Sequence, residues 1–453
     1  MNVRRLSLAA VCVLVVAVEP SAFGAPPQKP ASADSSFAGT WEGKSDGLPQ
    51  ADLTITESDG KISGSVLLYF QVGTAIPLVA PHGEGNTLTF EVPHPKCQGC
   101  EEIISNDKFR MELTGANEAS LWMGYDQPKK NAAPLMKLKR RNGTTSWHDP
   151  SQHQAQFIIV EYGVRVEVLD WGGAGRPVVL LAGSGNTAHV FDDFAPKLTG
   201  FCHVYGITRR GYGESSHPDT GYTQQRLADD VLEVLNALKL VKPVLAGHSM
   251  SGEELTTLGD EHSDQLGGLI YLDAGADPTN FPASDPAYMA LYQKLPAKMR
   301  NRPGPTASDR SSFEAFHKWR AQNRDVSFPE SELRNQYDSN PDGSVGAFRT
   351  SAAIDHAVGA GALKRDYSGI RVPVLAFFAL PGPPDQALNP EDRAAADAFN
   401  AATMTYINTY EKSLRTEVPW AKLIELPGAN HYVFLSNEAQ VLGDMRAFIA
   451  ALP

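Results

Sequence analysis

The 453-residue sequence has no block of positive charge. Its 40 lysines and arginines are interspersed with 52 aspartates and glutamates, and the net charge is -12 at pH 7. A protein that neutralises the phosphates of nucleic acid needs a basic face, so we expect no nucleic-acid partner. Beyond the N-terminus there is also no apolar run of the roughly 20 residues needed to cross a bilayer. We therefore expect no stable membrane insertion of the mature chain.

Cysteine is scarce, with only Cys12, Cys97, Cys100 and Cys202 in the chain. Cys97 and Cys100 form a C-x-x-C pair, which predicts a small disulfide in an oxidising compartment. Free thiols are one alternative. A metal or redox role is the other, although a metal site of this kind needs a second ligand pair and a redox motif needs a different local setting.

The N-terminus has the layout of a secretory signal peptide. Arg4 and Arg5 precede an apolar segment of about a dozen residues, and small residues follow around Ala22 and Gly24. A membrane anchor is the alternative, but the apolar segment is too short to span a bilayer. We expect residues 1–24 to be removed and the protein to be periplasmic or secreted, with residues 25–35 forming a disordered tail.

The length of the chain predicts two folded units. In residues 36–140, short alternating runs such as "ADLTITES" and "NTLTFEV" are separated by turn residues, which predicts a small antiparallel barrel or sandwich. No catalytic constellation occurs there, so this domain is either a packing module or a binding module. Residues 141–156 are typical of a linker.

Residues 157–453 have a different pattern. Short apolar runs such as "PVVLLAG", "PVLAG" and "VPVLAFFA" alternate with segments of helical periodicity, which predicts a mostly parallel sheet with helices on both faces. From about residue 276 to 370 no buried strand is predicted, and we expect an inserted helical lid. The aromatic residues of this lid include Tyr288, Tyr292, Phe313, Phe316 and Trp319. They favour a packed lid core, and an apolar acyl pocket is the alternative.

One serine stands out in the stretch "LAGHSMSG", which follows an apolar run and precedes a helical segment. A serine exposed on a sharp strand-to-helix turn requires small residues two places before and after it. Around Ser249 these residues are Gly247 and Ser251, whereas Ser251 would have the large Glu253 in one of those places. Ser249 is therefore the candidate nucleophile, and an accidental turn is the alternative.

From residue 157 to the end, the sequence resembles the α/β-hydrolase family. The resemblance rests on the G-x-S-x-small motif in its strand-to-helix context and on the loop "ITRRGYGESSHP", although Ser251 and Thr208 replace the usual glycine and aspartate. The resemblance implies a catalytic triad whose members follow one another along the chain in the order serine, acid, histidine, with His431 in "GANHY" as the base. The acid is Asp385 in the "GPPD" loop, or else Asp273 at the end of "GLIYLD".

The resemblance also implies an oxyanion hole formed by the backbone amides of Met250 and Ser184. Ser184 lies in the segment "AGSGN", for which phosphate binding is an alternative, but no lysine follows it. The implied activity is that of a serine hydrolase acting on small ester-like substrates through an acyl-enzyme, without metal or organic cofactor. A peptidase, a lactonase, a C–C hydrolase and a binding protein without turnover are the alternatives.

Overall fold

The computed structural model describes residues 36–45, 48–69, 72–93, 106–127, 133–141, 147, 149–280 and 282–453. The expected signal peptide at 1–24, the tail at 25–35 and the Cys97 and Cys100 pair lie outside these residues. Cys202 is a buried free cysteine. None of the helices in the described part of the chain combines the length and apolarity that a bilayer crossing requires.

The front domain is one nine-stranded antiparallel sheet with the strand order β5-β3-β2-β1-β10-β9-β8-β7-β6. The first ten strands of the chain are β1 Gly39–Ser45, β2 Leu48–Ser58, β3 Lys61–Leu68, β4 Gly73–Thr74, β5 Ile76–Pro77, β6 Val79–Glu84, β7 Thr87–Val92, β8 Asp107–Gly115, β9 Glu118–Met123 and β10 Met136–Arg140. Alternate residues of β7 are buried (Leu88, Phe90, Val92), as expected for a strand with one face toward the core.

The front sheet curls until its two ends approach each other. A Cβ atom on Gly83 of β6 would lie 2.7 Å from Cδ1 of Ile62 in β3, so β6 and β3 approach closely at this point. The front region is therefore an all-β unit made of a single curled sheet.

The second sheet also has nine strands, in the order β20-β19-β16-β15-β13-β14-β12-β11-β4. Its later members are β11 Gln154–Glu161, β12 Val164–Gly173, β13 Pro177–Leu181, β14 His203–Thr208, β15 Val244–His248, β16 Gly268–Leu272, β19 Val374–Leu380 and β20 Lys422–Pro427. Six neighbouring strands of this sheet run parallel, in the order β14, β13, β15, β16, β19 and β20, while β12, β11 and β4 are antiparallel to their neighbours. The sheet begins three residues before the predicted boundary at 157, and β4 joins it from the front segment.

Helices cover both faces of this sheet. The α-helices of the described residues are α1 Gln224–Ala237, α2 Gly252–Glu261, α3 Pro286–Lys294, α4 Ala297–Arg300, α5 Phe313–Asn323, α6 Glu330–Gln336, α7 Ala352–Ala360, α8 Pro390–Glu417, α9 Val433–Ser436 and α10 Glu438–Ala450. Successive strand residues point to opposite faces: Val178 and Leu180 of β13 belong to one apolar cluster, and Val179 and Leu181 belong to the other. The sheet is therefore buried on both sides.

The interval between β16 and β19 contains α3 to α7 and a hairpin of β17 Tyr337–Ser339 and β18 Val345–Phe348. We call this interval the insertion. Phe313, Phe316 and Trp319 are buried in it, which agrees with a packed core for these three aromatic residues.

Candidate active site

Ser249 stands at the carboxyl end of β15, where the chain turns into α2. Its φ angle is +57°, a left-handed conformation that is strained for a residue with a side chain. A Cβ on Gly247 would lie 2.9 Å from Cβ of Ser251 and 2.5 Å from Cδ1 of Leu255. The turn is therefore tight enough to require the small residues at 247 and 251 that the sequence offers. Ser251 itself is buried, and its hydroxyl donates to the carbonyl of Ala182 at 2.6 Å.

Two hydrogen bonds connect Ser249 to His431 and His431 to a carboxylate. Nε2 of His431 lies 2.9 Å from Oγ of Ser249, and Nδ1 of His431 lies 2.6 Å from Oδ2 of Asp273. His431 is in the loop between β20 and α9, and Asp273 directly follows β16. Because the carboxyl ends of parallel strands meet at one edge of a sheet, the three side chains converge there. This arrangement allows a proton to pass from the serine hydroxyl to the imidazole.

The preference for Asp385 in the sequence analysis is corrected by this geometry. Asp385 is exposed, and its carboxylate accepts a hydrogen bond from the amide of Ala387 at 2.9 Å. Asp273 is held from its other side as well, since Oδ1 accepts from the amide of Ala379 at 2.9 Å. The physical reason is strand order: β16 lies directly beside β15, whereas a proline-rich segment separates Asp385 from the end of β19.

His248 is a further residue of this site that sequence reasoning missed. Its Nε2 lies 3.1 Å from the carbonyl oxygen of His431, and its ring packs 4.6 Å from the rings of both His431 and Tyr432. Burial, together with the nearby His431, holds the pKa of His248 well below 6.5. A neutral His248 donates from Nε2 and fixes the backbone of His431. Its position next to Ser249 was the only signal in the sequence.

The predicted oxyanion loop runs beside the serine. A Cβ on Gly183 would lie 2.9 Å from Cβ of Ser249, so the backbone at 183 passes close to the nucleophile. The hydroxyl of Ser184 donates to Asp355 of α7 at 3.0 Å, and the hydroxyl of Tyr212 lies 3.4 Å from the same oxygen. Met250, the other predicted member, follows Ser249 in the turn. The insertion thus contributes an acidic side chain next to this loop.

A buried glutamate of the insertion secures the other end of the same loop. Glu332 accepts hydrogen bonds from the side chain of Asn186 at 2.8 Å, from the amide of Thr187 at 3.1 Å and from the hydroxyl of Thr187. Burial raises the pKa of Glu332 to about 7, and these hydrogen bonds oppose that rise. Asn186 in turn accepts from the hydroxyl of Tyr432 at 2.9 Å, beside His431. Hydrogen bonds therefore connect the insertion, the predicted oxyanion loop and the segment that carries His431.

Residues 178–443 match the α/β-hydrolase family ("Alpha/beta hydrolase family"). The chain belongs to this family. It is 29% identical over 158 residues to an sn-1-specific diacylglycerol lipase of Xenopus laevis, covering 34% of this chain and 48% of that one. It is 30% identical over 135 residues to an N-formylmaleamate deformylase of Pseudomonas putida, covering 30% of this chain and 48% of that one.

The chain thus spans about half the length of these sequence relatives. Among solved structures, it is similar to an E-2-(acetamidomethylene)succinate hydrolase with a TM-score of 0.48 and 18% identity, covering 66% of this chain and all of that one. The chain therefore has the family fold with an additional β-rich region in front of it.

Proposed function

We propose that this hydrolase cleaves carboxylic esters through a covalent acyl-enzyme on Ser249. The observation that carries the proposal is the pair of hydrogen bonds, 2.9 Å from Ser249 to His431 and 2.6 Å from His431 to Asp273. A serine hydroxyl is a poor nucleophile until a base takes its proton, and the base is effective when a third group fixes its orientation. Both requirements are met in this geometry.

In the first half-reaction, Nε2 of His431 removes the proton of Ser249 while Oγ attacks the ester carbonyl carbon. The carbonyl oxygen becomes an oxyanion, which the amides of Met250 and Ser184 stabilise, each by about 3 to 4 kcal/mol. The C–O bond to the alcohol then breaks, and His431 returns its proton to the leaving oxygen. Water, deprotonated by His431, attacks the acyl-enzyme in the second half and releases the acid and the free serine.

Asp273 has two roles in this scheme. Its Oδ2 accepts a hydrogen bond from Nδ1–H of His431, so Nε2 remains the free base that faces Ser249. Its negative charge also stabilises the imidazolium that forms when the serine is deprotonated. The amide of Ala379 holds Oδ1 and thereby fixes the carboxylate plane.

The first experiment is hydrolysis of a p-nitrophenyl ester series of short to medium acyl chains by signal-free protein. We expect turnover by the wild type and loss on the order of 10⁶-fold in kcat for Ser249→Ala. A folded wild type that is inactive on all esters would contradict the ester assignment. Amide, lactone and C–C substrates would then test the peptidase, lactonase and C–C hydrolase alternatives.

We also propose that the protein is exported and that residues 1–24 are removed. Support comes from the sequence alone, from Arg4 and Arg5, the short apolar segment and the small residues at 22 and 24. N-terminal sequencing of protein recovered from the periplasm or the medium is expected to begin at Ala25. Recovery of the intact N-terminus from the cytoplasm would contradict export.

A second candidate function, binding of an apolar small molecule, is favoured by a cavity of about 480 Å³ in the front sheet. Cavities of this size hold small ligands, and the walls here are mainly apolar, including Leu53, Val66, Phe90 and Leu121. A fluorescent fatty acid should bind the wild type and be excluded by the cavity-filling variant Leu121→Trp. Equal binding by both proteins would contradict this role.

A further inference from the structure

Four metal-ligating side chains converge at a place apart from Ser249 and its partners. They are Asp149, His153, His189 and Asp192, and one possible ligand atom from each lies within 4.8 Å of all the others. We propose that these four residues bind one divalent metal ion of the zinc type as a structural site. The site is independent of the proposed esterase chemistry.

The distances match the size of such a site. In a tetrahedral site with metal–ligand bonds of about 2.1 Å, the ligand atoms are about 3.4 Å apart. Here Nδ1 of His189 lies 3.1 Å from Oδ2 of Asp192 and 3.9 Å from Oδ2 of Asp149. His153 completes the group, with Nδ1 2.8 Å from Oδ1 of Asp192 and Nε2 3.7 Å from Asp149. Because an imidazole binds a metal ion through one nitrogen, only one of these two His153 contacts belongs to the ligand set, and the four ligand atoms, which lie within 4.8 Å of one another, must draw together on binding.

The negative charge around the four residues also favours a bound cation. Asp149, Asp192 and the adjacent Glu167 place three carboxylates in one region, and Asp192 and Glu167 are buried. Within the described part of the chain, the ion-pair partners found for these three are histidines rather than lysines or arginines. Buried carboxylates without a fixed positive charge are costly. A divalent ion bound by neutral imidazoles would supply the positive charge that otherwise has to come from protonated imidazoles.

The surroundings resemble those that orient metal ligands in proteins. A metal-bound histidine usually directs its other ring nitrogen at a carboxylate or carbonyl, and Nε2 of His189 faces Oε1 of Glu167 at 3.5 Å. That nitrogen is buried and has no hydrogen-bond partner among the described residues. Asp192 is held by the indole of Trp171 at 3.2 Å and by the hydroxyl of Ser331.

The donor set narrows the choice of metal. Calcium and magnesium prefer oxygen ligands alone, whereas two imidazoles with two carboxylates suit zinc and related transition metals. Four protein ligands leave no open position, which is typical of structural rather than catalytic zinc. The side chain of Asp149 is 27% exposed and provides an entry path for the ion.

The site would connect two distant parts of the chain. Asp149 and His153 lie in the segment 141–156 that the sequence predicted to be a linker, directly before β11. His189 and Asp192 lie in and after a short turn of residues 188–191 that follows the loop carrying Ser184. A bound ion would therefore fasten the predicted linker to the base of the candidate oxyanion loop.

The test is Zn²⁺ binding by the chelator-stripped full chain, measured by calorimetry and by metal analysis after desalting. All proteins carry Cys97→Ser and Cys100→Ser, since thiolates also bind zinc. We expect one Zn²⁺ per wild-type chain, a melting temperature that rises with Zn²⁺, and at least 100-fold weaker binding by His153→Gln and by Asp149→Asn. Co²⁺ in place of Zn²⁺ should give the intense visible bands of four-coordination.

The matched control is His203→Gln, which breaks another histidine–aspartate pair, 2.8 Å from Asp170, outside the cluster. It should bind Zn²⁺ as the wild type does. Absence of binding by the folded wild type would overturn the proposal. So would wild-type affinity in both His153→Gln and Asp149→Asn. Asp149 is more exposed than His153, so Asp149→Asn is expected to fold even if His153→Gln does not. Its affinity for Zn²⁺ then tests the proposal.

Discussion

Replacing Asp273 by asparagine should disable the base without disturbing the fold. The asparagine Oδ1 can keep the hydrogen bond from the amide of Ala379, now 2.9 Å long. Its NH₂ group then faces Nδ1 of His431, where Oδ2 now lies at 2.6 Å. Because NH₂ is a donor, Nδ1 must become the acceptor and the ring proton moves to Nε2. Nε2 can then no longer accept the proton of Ser249.

The expected magnitude follows from the loss of the correct tautomer and of the charge that stabilises the imidazolium. A loss on the order of 10⁴-fold in kcat is typical of this change, which corresponds to about 5.4 kcal/mol at 1.36 kcal/mol per decade. The assay is p-nitrophenyl ester hydrolysis with kcat and KM determined separately. KM should change little, because Asp273 contacts the histidine rather than the substrate.

Asp385→Asn is the matched control, since it makes the same chemical change at the acid that the sequence favoured. Among the described residues, the hydrogen-bond partner found for its carboxylate is the local amide of Ala387, so we expect nearly wild-type kcat. The reasoning is refuted if Asp385→Asn loses activity by orders of magnitude while Asp273→Asn retains it.

Four further predictions concern the surroundings of the site. His248→Phe should lower kcat and destabilise the fold by about 1 to 3 kcal/mol, because it leaves the carbonyl of His431 unpaired; His248→Gln should partly restore kcat. The pKa of His248 is lowered in the folded state, so below pH 6.5 the unfolded chain binds a proton at this histidine that the folded protein does not bind. The stability of the wild type relative to His248→Phe should therefore fall as the pH drops below 6.5. The pKa of Glu332 is raised to about 7 in the folded protein, so between about pH 4.5 and 7 the folded state holds a proton that the unfolded chain has lost. As the pH rises through this range, the free energy of unfolding of the wild type should fall relative to that of Glu332→Gln by up to about 1.4 kcal/mol per pH unit. Denaturant titrations measure this difference. Gly252→Ala should destabilise by about 1 to 3 kcal/mol, as its Cβ would lie 2.0 Å from the carbonyl oxygen of Ala274.

The controls for these predictions use the same measurements. Gly443→Ala in α10 adds a methyl group where no atom of the described residues lies within 4 Å apart from its chain neighbours and the backbone of its own helix, so it should be neutral or stabilising by up to about 1 kcal/mol. Equal melting temperatures for Gly252→Ala and Gly443→Ala would contradict the steric argument. A pH-independent stability difference between wild type and Glu332→Gln would contradict the raised pKa.

The sequence predicted much of the fold because the relevant patterns are local. Short apolar runs became β13 to β16 and β19, and a turn at Tyr162 and Gly163 joins β11 to β12. The 28-residue helix α8 was not predicted, because its alanine-rich segment lacks a clear apolar stripe. The pairing of β4 with β11 was also missed, since a two-residue strand has no periodicity.

The candidate site was harder to predict where it depends on contacts between distant segments. Ser249 and His431 were found because each lies in a recognisable local context. The choice between Asp273 and Asp385 depends on strand order and on the path of the proline-rich loop, neither of which a local pattern specifies. The roles of His248 and Glu332 arise from tertiary contacts, 183 and 145 residues apart in sequence, and no motif announced them.

The central claim is that Ser249 becomes covalently acylated. The most direct measurement is reaction of the folded protein with a fluorophosphonate, followed by mass spectrometry of the peptide that contains residues 245–255. We predict one adduct per chain on Ser249, no adduct in Ser249→Ala, and much slower labelling in Asp273→Asn than in Asp385→Asn. An unlabelled wild type that nevertheless hydrolyses esters, or an adduct on another residue such as Ser251, would contradict the account.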